Sequence, residues 1–170
     1  MAWPTLPTNQ PVDWRAAALL TVRRYCGWHV APVITETITL DGSGSSALLL
    51  PSNQALEIES LTEDGKEVDV STLSLSVAGV VRKEHDQCWT RKLGGVVVSL
   101  RHGYDEYADL EGIVSQVAAR SAATGSGAVS ESAGPFNIRR ATVSGGAVAG
   151  APLLETEKEA LAPYRLTWGV

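Results

Sequence analysis

The apolar positions of residues 12–26 recur with the period of an amphipathic helix. From Trp14 to Tyr25 they fall at spacings of three and four residues, which places them on one helix face. Two arginines occupy the last turn, where the helix dipole favours cations, and Gly27 follows at the position typical of a helix end. We therefore predict a helix over residues 12–26.

Residues 33–102 change to a pattern typical of β-structure. Residues 33–40 are rich in β-branched side chains, and residues 56–61 alternate between apolar and polar positions. Gly-containing turns at residues 41–45 and 63–66 separate these runs. Short strands with a turn every few residues indicate an antiparallel sandwich or barrel-like block.

Helical spacing returns in two later segments. Residues 105–123 carry an apolar stripe behind an acidic start, with Asp105 as the expected N-cap. Residues 153–162 form a shorter amphipathic stretch that Pro163 should end. The chain is therefore predicted to be an α+β protein, in which a small helical bundle of an N-terminal, a central and a short C-terminal helix carries the inserted β-block.

The ends of the chain differ from this core of residues 12–130. Residues 1–11 contain prolines and no periodic pattern, so we expect an extended lead. Residues 131–170 combine an extended Gly-Pro segment, a Gly- and Ala-rich run over 141–151 that could order on binding, and the amphipathic end. Such an arm suits docking onto another molecule, so the chain is interpreted as an assembly component.

Composition narrows the possible functions. With 170 residues, 44% apolar and 19% charged, the chain can form one domain with a core. It contains no apolar run of the roughly 20 residues that a membrane helix needs, and its start lacks the features of a signal peptide. We expect synthesis in a cytosol and no membrane contact. The net charge of −5 argues against coating nucleic acid, although DNA could slide past an acidic wall.

Two cysteines and two histidines form a candidate metal site. Cys26 with His29, and His85 with Cys88, share the two-residue spacing and the ligand types of tetrahedral zinc. The two pairs are far apart in sequence, however, and the usual Cys-x-x-Cys is missing. We therefore expect neither a metal nor a cofactor.

No pattern in the chain indicates catalysis. The turn that begins at Asp41 follows a strand but lacks the Gly-Lys-Ser/Thr of a phosphate loop. His102 could act as a base beside Asp105, yet no Ser or Cys lies in a strand-to-helix elbow. A turn that leads into the second helix explains these residues, and we predict that the protein is not an enzyme.

An ordered set of short motifs over residues 12–166 resembles one family. The chain is similar to head-to-tail connector (adaptor) proteins of tailed bacteriophages, especially those of actinobacteria. The motifs are Tyr25-Cys-Gly-Trp-His-Val-Ala-Pro32, Thr35-Glu-Thr-Ile-Thr-Leu-Asp-Gly42, Leu48-Leu-Leu-Pro51, His102-Gly-Tyr104, Ala118-Ala-Arg120, Glu131-Ser-Ala-Gly-Pro-Phe136 and the end from Leu154 to Arg165.

The resemblance implies a virion protein that is made in the host bacterial cytoplasm and forms a ring, expected as a dodecamer, below the portal. The ring would extend the DNA channel without sequence-specific binding and would join the capsid to stopper or tail proteins. The resemblance also assigns the partner-binding residues: Gly134, Pro135 and Phe136 in the extended arm, and Leu153, Leu154, Leu161, Tyr164 and Arg165 in the docking helix.

Two alternatives stay open. The chain could be another connector component, either a stopper or a tail-completion protein, although the flanking helices favour an adaptor. It could instead be a small ligand-binding or hydrolytic β-domain that uses His102, Asp105 or the Cys/His set. The role of the β-block, which is larger than in the smallest all-helical adaptors, is left open between subunit contact and a tail-facing platform.

Overall fold

The computed structural model describes residues 13–84, 87–125, 130–133, 136–139 and 152–166. These residues form three α-helices and nine strands, with helices on both sides of a β-block as predicted. The elements are α1 (Trp14–Cys26), β1 (Ile34–Leu40), β2 (Ala47–Leu49), β3 (Ala55–Glu63), β4 (Lys66–Glu67), β5 (Leu73–Leu75), β6 (Val80–Lys83), β7 (Val96–His102), α2 (Ala108–Gly125), β8 (Ser130–Ala133), β9 (Phe136–Arg139) and α3 (Glu155–Leu161).

Helix α1 has both ends capped as its sequence suggests. The Asp13 carboxylate accepts a hydrogen bond from the Ala16 amide at 3.0 Å, so Asp13 is the N-cap residue. At the other end Gly27 has a φ of 83°, and its amide donates to the Arg23 carbonyl at 2.8 Å. The observed helix begins two residues after the predicted start and ends at the predicted residue.

The β-block consists of two antiparallel sheets. One has the strand order β1-β7-β3-β4, and β1 pairs with β7 without a break from Ile34 opposite His102 to Leu40 opposite Val96. The other has the order β2-β6-β5. Their apolar faces enclose one core, which confirms the predicted antiparallel block. The buried residues of this core are Leu48, Leu50, Ala55, Ile58, Leu61, Val81, Trp89, Val96, Val98 and Leu100.

Helix α2 begins later than predicted. Its first residue is Ala108 rather than residue 105, so the expectation that Asp105 is its N-cap was wrong. The chain leaves β7 as a loop, and the Tyr104 amide donates to the Val30 carbonyl at 2.8 Å. This bond anchors the loop after β7 to the loop after α1, and the chain stays non-helical from residue 103 to residue 107.

The second core lies among the three helices and confirms the predicted bundle. Helix α3 ends at Leu161, and a 3₁₀ turn over Ala162–Tyr164 contains Pro163. The buried residues of this core are Ala18, Val22, Cys26, Trp28, Val30, Ala31, Leu110, Val114, Val117, Leu153, Leu161 and Leu166. Within the described ranges, no helix has both the length and the apolar character needed to cross a bilayer.

Strands β8 and β9 form a separate two-stranded sheet in the segment predicted to be extended. Its register pairs Ser130 with Arg139 and Ala133 with Phe136. Several predictions fall outside the described residues: the lead of residues 1–11, His85 of the metal set, Gly134 and Pro135 of the arm, and the run of residues 141–151.

Candidate functional site

The C-terminal segment, residues 152–166, carries most of the predicted partner-binding residues. Its main polar anchor is Glu157, whose two carboxylate oxygens accept from the Arg120 guanidinium of α2 at 2.7 and 2.8 Å. Glu157 is only 5% exposed. Such a two-pronged, charge-assisted pair fixes both the position and the orientation of the segment on α2.

The same carboxylate also caps helix α3. Its Oε2 atom accepts from the Leu154 amide at 2.8 Å, which satisfies a donor left free at the helix start. Hydrogen bonding from Arg120 lowers the pKa of Glu157, although burial opposes the shift. The carboxylate is therefore ionised at neutral pH, as this geometry requires.

Hydrogen bonds to backbone carbonyls attach the end of the segment to the rest of the chain. The Trp28 indole donates to the Tyr164 carbonyl at 2.6 Å, and the Leu166 amide donates to the Cys26 carbonyl at 2.9 Å. The side-chain amide of Asn53, in the β-block, donates to the Pro163 carbonyl at 3.1 Å. The segment thus contacts both the helical layer and the β-block.

Tyr164 adds a polar contact at the start of α2. Its hydroxyl donates to the Asp109 carboxylate, and its ring packs edge-on against Tyr104 with centroids 5.2 Å apart. The hydrogen bond to Asp109 together with burial raises the pKa of Tyr164 to about 12. The hydroxyl therefore remains a donor at physiological pH.

The structure divides the predicted docking residues into an inner and an outer set. Leu153 and Leu161 are buried in the core of their own chain, and Leu161 is fully enclosed. Leu154 is 50% exposed, and Arg165 faces solvent with its guanidinium 4.9 Å from the Tyr25 ring. The outer surface of the segment comprises Pro152, Leu154, Glu155, Thr156, Glu159, Ala160, Ala162, Pro163 and Arg165.

A second cluster of polar groups lies where the sheet meets the helices. His102 is fully buried, and its Nε2 atom lies 2.8 Å from the Glu36 carboxylate of β1. The proposed pairing of His102 with Asp105 is not what the described residues show, because the histidine has Glu36 as its carboxylate partner. Glu36 could have been found from sequence, since strand alternation puts it on the same face as Ile38.

The environment of this cluster keeps its imidazoles neutral. Burial lowers the pKa of His102, although the hydrogen bond to Glu36 opposes the shift. Burial also lowers the pKa of His29, whose ring centroid lies 5.9 Å from that of His102. Arg23 holds the intervening loop through hydrogen bonds to the carbonyls of His29 and Ala31, both at 2.9 Å. The cluster therefore joins the helices to the larger sheet.

The structure describes three of the four candidate metal ligands, Cys26, His29 and Cys88. Cys26 is buried, and burial raises the pKa of its thiol to about 11, whereas Cys88 is exposed. The His29 Nε2 atom lies 2.7 Å from the Pro32 carbonyl. Among the residues that the structure describes, no group of three or more His, Cys, Asp or Glu side chains could hold a metal ion.

Two clefts in the described part of the chain are candidate ligand sites. A groove of about 130 Å³ between α1 and α2 is smaller than the clefts of roughly 300 Å³ or more that bind small molecules. A polar cleft of about 350 Å³ lies in the β-block beside the Lys83–Glu63 ion pair. The lining of the first contains His29 but no serine or cysteine, and the lining of the second contains carboxylates and Lys83 but no histidine.

Comparison with known proteins gives a structural likeness and no sequence match. No protein-family model and no curated protein matches the chain. A chain from the solved structure described as the neck of a native GTA particle computed with C12 symmetry has the same fold, with a TM-score of 0.57. The likeness covers 93% of this chain and 82% of that chain at 12% sequence identity, and at that identity it concerns the fold alone.

Proposed function

We propose that this chain is a structural protein of the neck of a phage-like particle, and more narrowly an adaptor that joins the capsid to the tail. The observation that carries the proposal is the fold likeness, over 93% of the chain, to a neck chain of a GTA particle. The ordered motifs of residues 12–166 support the same function independently. The protein would therefore work in the virion, between the portal and the stopper or tail proteins.

In this proposal the chain forms a ring, with twelve copies as the expected number. The solved neck was computed with C12 symmetry, which supports that number by analogy. A closed ring requires two different surfaces of each subunit to meet around the axis. The net charge of −5 suits a channel that DNA passes without specific binding.

The outer surface of the C-terminal segment is the proposed contact with the portal. It carries the half-exposed Leu154 at the start of α3 and the exposed Arg165 after its end, so it offers an apolar side chain and a cation. Arginine is enriched among the hot spots of protein interfaces, and Leu154 adds apolar area that binding would bury. Leu161 and Leu153 serve the proposal indirectly, because their burial holds the segment in place.

Mass photometry of the purified chain, alone and mixed with portal rings, tests the function. We expect portal-bound rings whose added mass corresponds to about twelve copies, as the symmetry argument requires. A folded chain that ignores portal but joins tail complexes would indicate a stopper or tail-completion protein. A chain that binds neither would contradict a role in the neck.

A matched pair of variants tests the docking surface. Leu154→Asp should reduce portal binding at least about tenfold, because an interface anchor is replaced by a charge. Leu93→Asp is the control, since Leu93 is 79% exposed in the loop before β7, outside the C-terminal segment. Equal binding by both variants would contradict docking through residues 152–166.

A further inference from the structure

Strand β1 is an open edge of the larger sheet. All seven of its residues pair with β7 on one side. On the other side, its backbone makes no hydrogen bond to any described residue. The strand contains no proline, lysine or bulge, which commonly protect an edge from pairing, and its one charged residue, Glu36, is paired with His102.

The β8–β9 hairpin lacks a third strand. It forms a sheet of two strands and pairs with no other described strand. An isolated two-stranded hairpin is marginally stable in water, and a third strand stabilises it. The chain therefore contains both a strand pair that lacks a neighbour and an edge that lacks one.

The sequences of these two elements fit one another. Ile38 and Leu40 of β1 pack against the core of the β-block but remain only partly buried at the sheet edge. In β9 the apolar Phe136 and Ile138 alternate with the polar Asn137 and Arg139. A strand with that alternation, added beside β1, would extend the apolar face over Ile38 and Leu40.

Chain geometry favours a second copy as the source of the hairpin. Helix α2 begins near the start of β1, because Tyr107 and Pro32 line the same groove. Its 18 residues extend for about 27 Å. The connection from Gly125 to Ser130 spans at most about 17 Å. Within one chain the hairpin could reach β1 only through this short connection, and the structure pairs β1 with β7 alone among the described strands.

We propose that the β8–β9 hairpin of one copy adds to the β1 edge of a neighbouring copy. Donor and acceptor are different surfaces, as contacts around a closed ring require. The inference deepens the proposed function, because the neighbouring copy is the adjacent ring subunit. It also assigns the β-block a role in subunit contact.

Chemical cross-linking of two single-cysteine variants tests this pairing in the full-length chain. One variant carries Thr37→Cys in the middle of β1, and the other carries Asn137→Cys in β9. Both carry Cys88→Ser, because Cys88 is exposed, whereas the burial of Cys26 and its thiol pKa of about 11 keep that thiol unreactive. The two chains are mixed and treated with a short bis-maleimide, which tolerates either strand register.

We expect a covalent dimer that contains one chain of each variant. Its yield should exceed that of a control mixture at least about tenfold, because pairing raises the effective thiol concentration. The control replaces Thr37→Cys by Ser74→Cys on β5, an exposed position at the open edge of the other sheet. Equal yields would overturn the proposal. A third variant carries Thr37→Cys and Asn137→Cys in one chain. A cross-link formed inside a monomer of that variant would also overturn the proposal.

Mass photometry of the same mixture separates this inference from the proposed function. Rings without the specific cross-link would overturn the pairing and leave the ring intact. The specific cross-link without rings would support the pairing and count against the adaptor. Absence of both would overturn both.

Discussion

Arg120 of α2 and Glu157 of the C-terminal segment form a two-pronged ion pair, with both N–O distances below 3 Å. Glu157 is nearly buried, whereas the Arg120 side chain is partly open to solvent. Removing one member of such a pair leaves the other member poorly solvated. This contact therefore couples the position of the outer surface of the C-terminal segment to the helical core.

Glu157→Gln should lower the free energy of unfolding by about 2 kcal/mol, because a charged hydrogen-bonding group is lost from a nearly buried site. Urea denaturation at pH 7 measures the change. Since Arg120 lowers the pKa of Glu157, the stabilisation is present above the unfolded pKa, about 4.3, and is lost as the pH falls through the folded value. The gap between wild type and variant should therefore narrow below pH 4.

Glu155→Gln is the matched control for that experiment. Glu155 also accepts from a cation, Lys158, three residues away, at 2.6 Å. Both partners face solvent, and exposed pairs add little stability. Its unfolding midpoint should match that of the wild type. A Glu157→Gln midpoint equal to that of Glu155→Gln would show that the ion pair does not hold the segment in solution.

Leu161→Ala should destabilise the chain by about 3 kcal/mol, because it opens a cavity in a closed core. Leu154→Ala provides the comparison, since half of that side chain is already exposed. Thermal unfolding of both variants measures the difference. An unaltered midpoint for Leu161→Ala would mean that the segment leaves its own core in solution.

Acidification should weaken the junction around His102. Burial lowers the pKa of His102 and of His29, so both bind a proton more readily after unfolding. Stability is then complete above the unfolded pKa of about 6.5 and declines as the pH falls below it. The Nδ1 atom of His102 is buried without a hydrogen-bond partner among the described residues, so a proton there would find no acceptor.

His102→Gln tests this pH dependence, because glutamine can still donate to Glu36 but does not titrate. Urea midpoints at pH 7.5 and pH 5.5 should differ less for the variant than for the wild type. His29 continues to titrate, so part of the dependence should remain. Identical pH dependence in both proteins would show that His102 does not contribute.

The two cysteines should react at very different rates with a thiol reagent. Cys88 is exposed, whereas the buried Cys26 has a thiol pKa of about 11 and little reactive thiolate. A colorimetric titration of the folded protein should release one equivalent quickly and the second only in denaturant. Rapid release of two equivalents would contradict the burial of Cys26.

The sequence predicted the elements better than it predicted their partners. The stripe of α1 and the alternation of β3 reflect local periods, which a single sequence displays directly. The start of α2 was placed too early because Tyr104 is held by Val30, a contact between residues far apart in sequence. Local propensity contains no information on such a bond.

The same limit applied to the candidate site. An amphipathic stripe shows that Leu161 needs an apolar partner, but it does not show whether that partner lies in the same chain. Arg120 and Glu157 are 37 residues apart, and only the fold brings them together. The alternation of residues 33–40 predicted a strand, and it also places Glu36 on the same inward face as Ile38. That placement alone does not identify His102 as the partner of Glu36.

Two glycines with nearly equal φ angles provide the last prediction. Gly65 in the β3–β4 turn has a φ of 78°, and a Cβ atom there would meet no atom within 4 Å. Gly79 has a φ of 76°, but its Cβ would lie 2.4 Å from the carbonyl oxygen of the buried Ser52. Alanine is strained at either position by about 1 kcal/mol, because its Cβ disfavours left-handed backbone. Only Gly79→Ala adds a clash with backbone, so its loss of stability should exceed that of Gly65→Ala by about 1–3 kcal/mol. Urea denaturation of both variants measures the difference, and equal losses would mean that the backbone around Ser52 moves aside without cost.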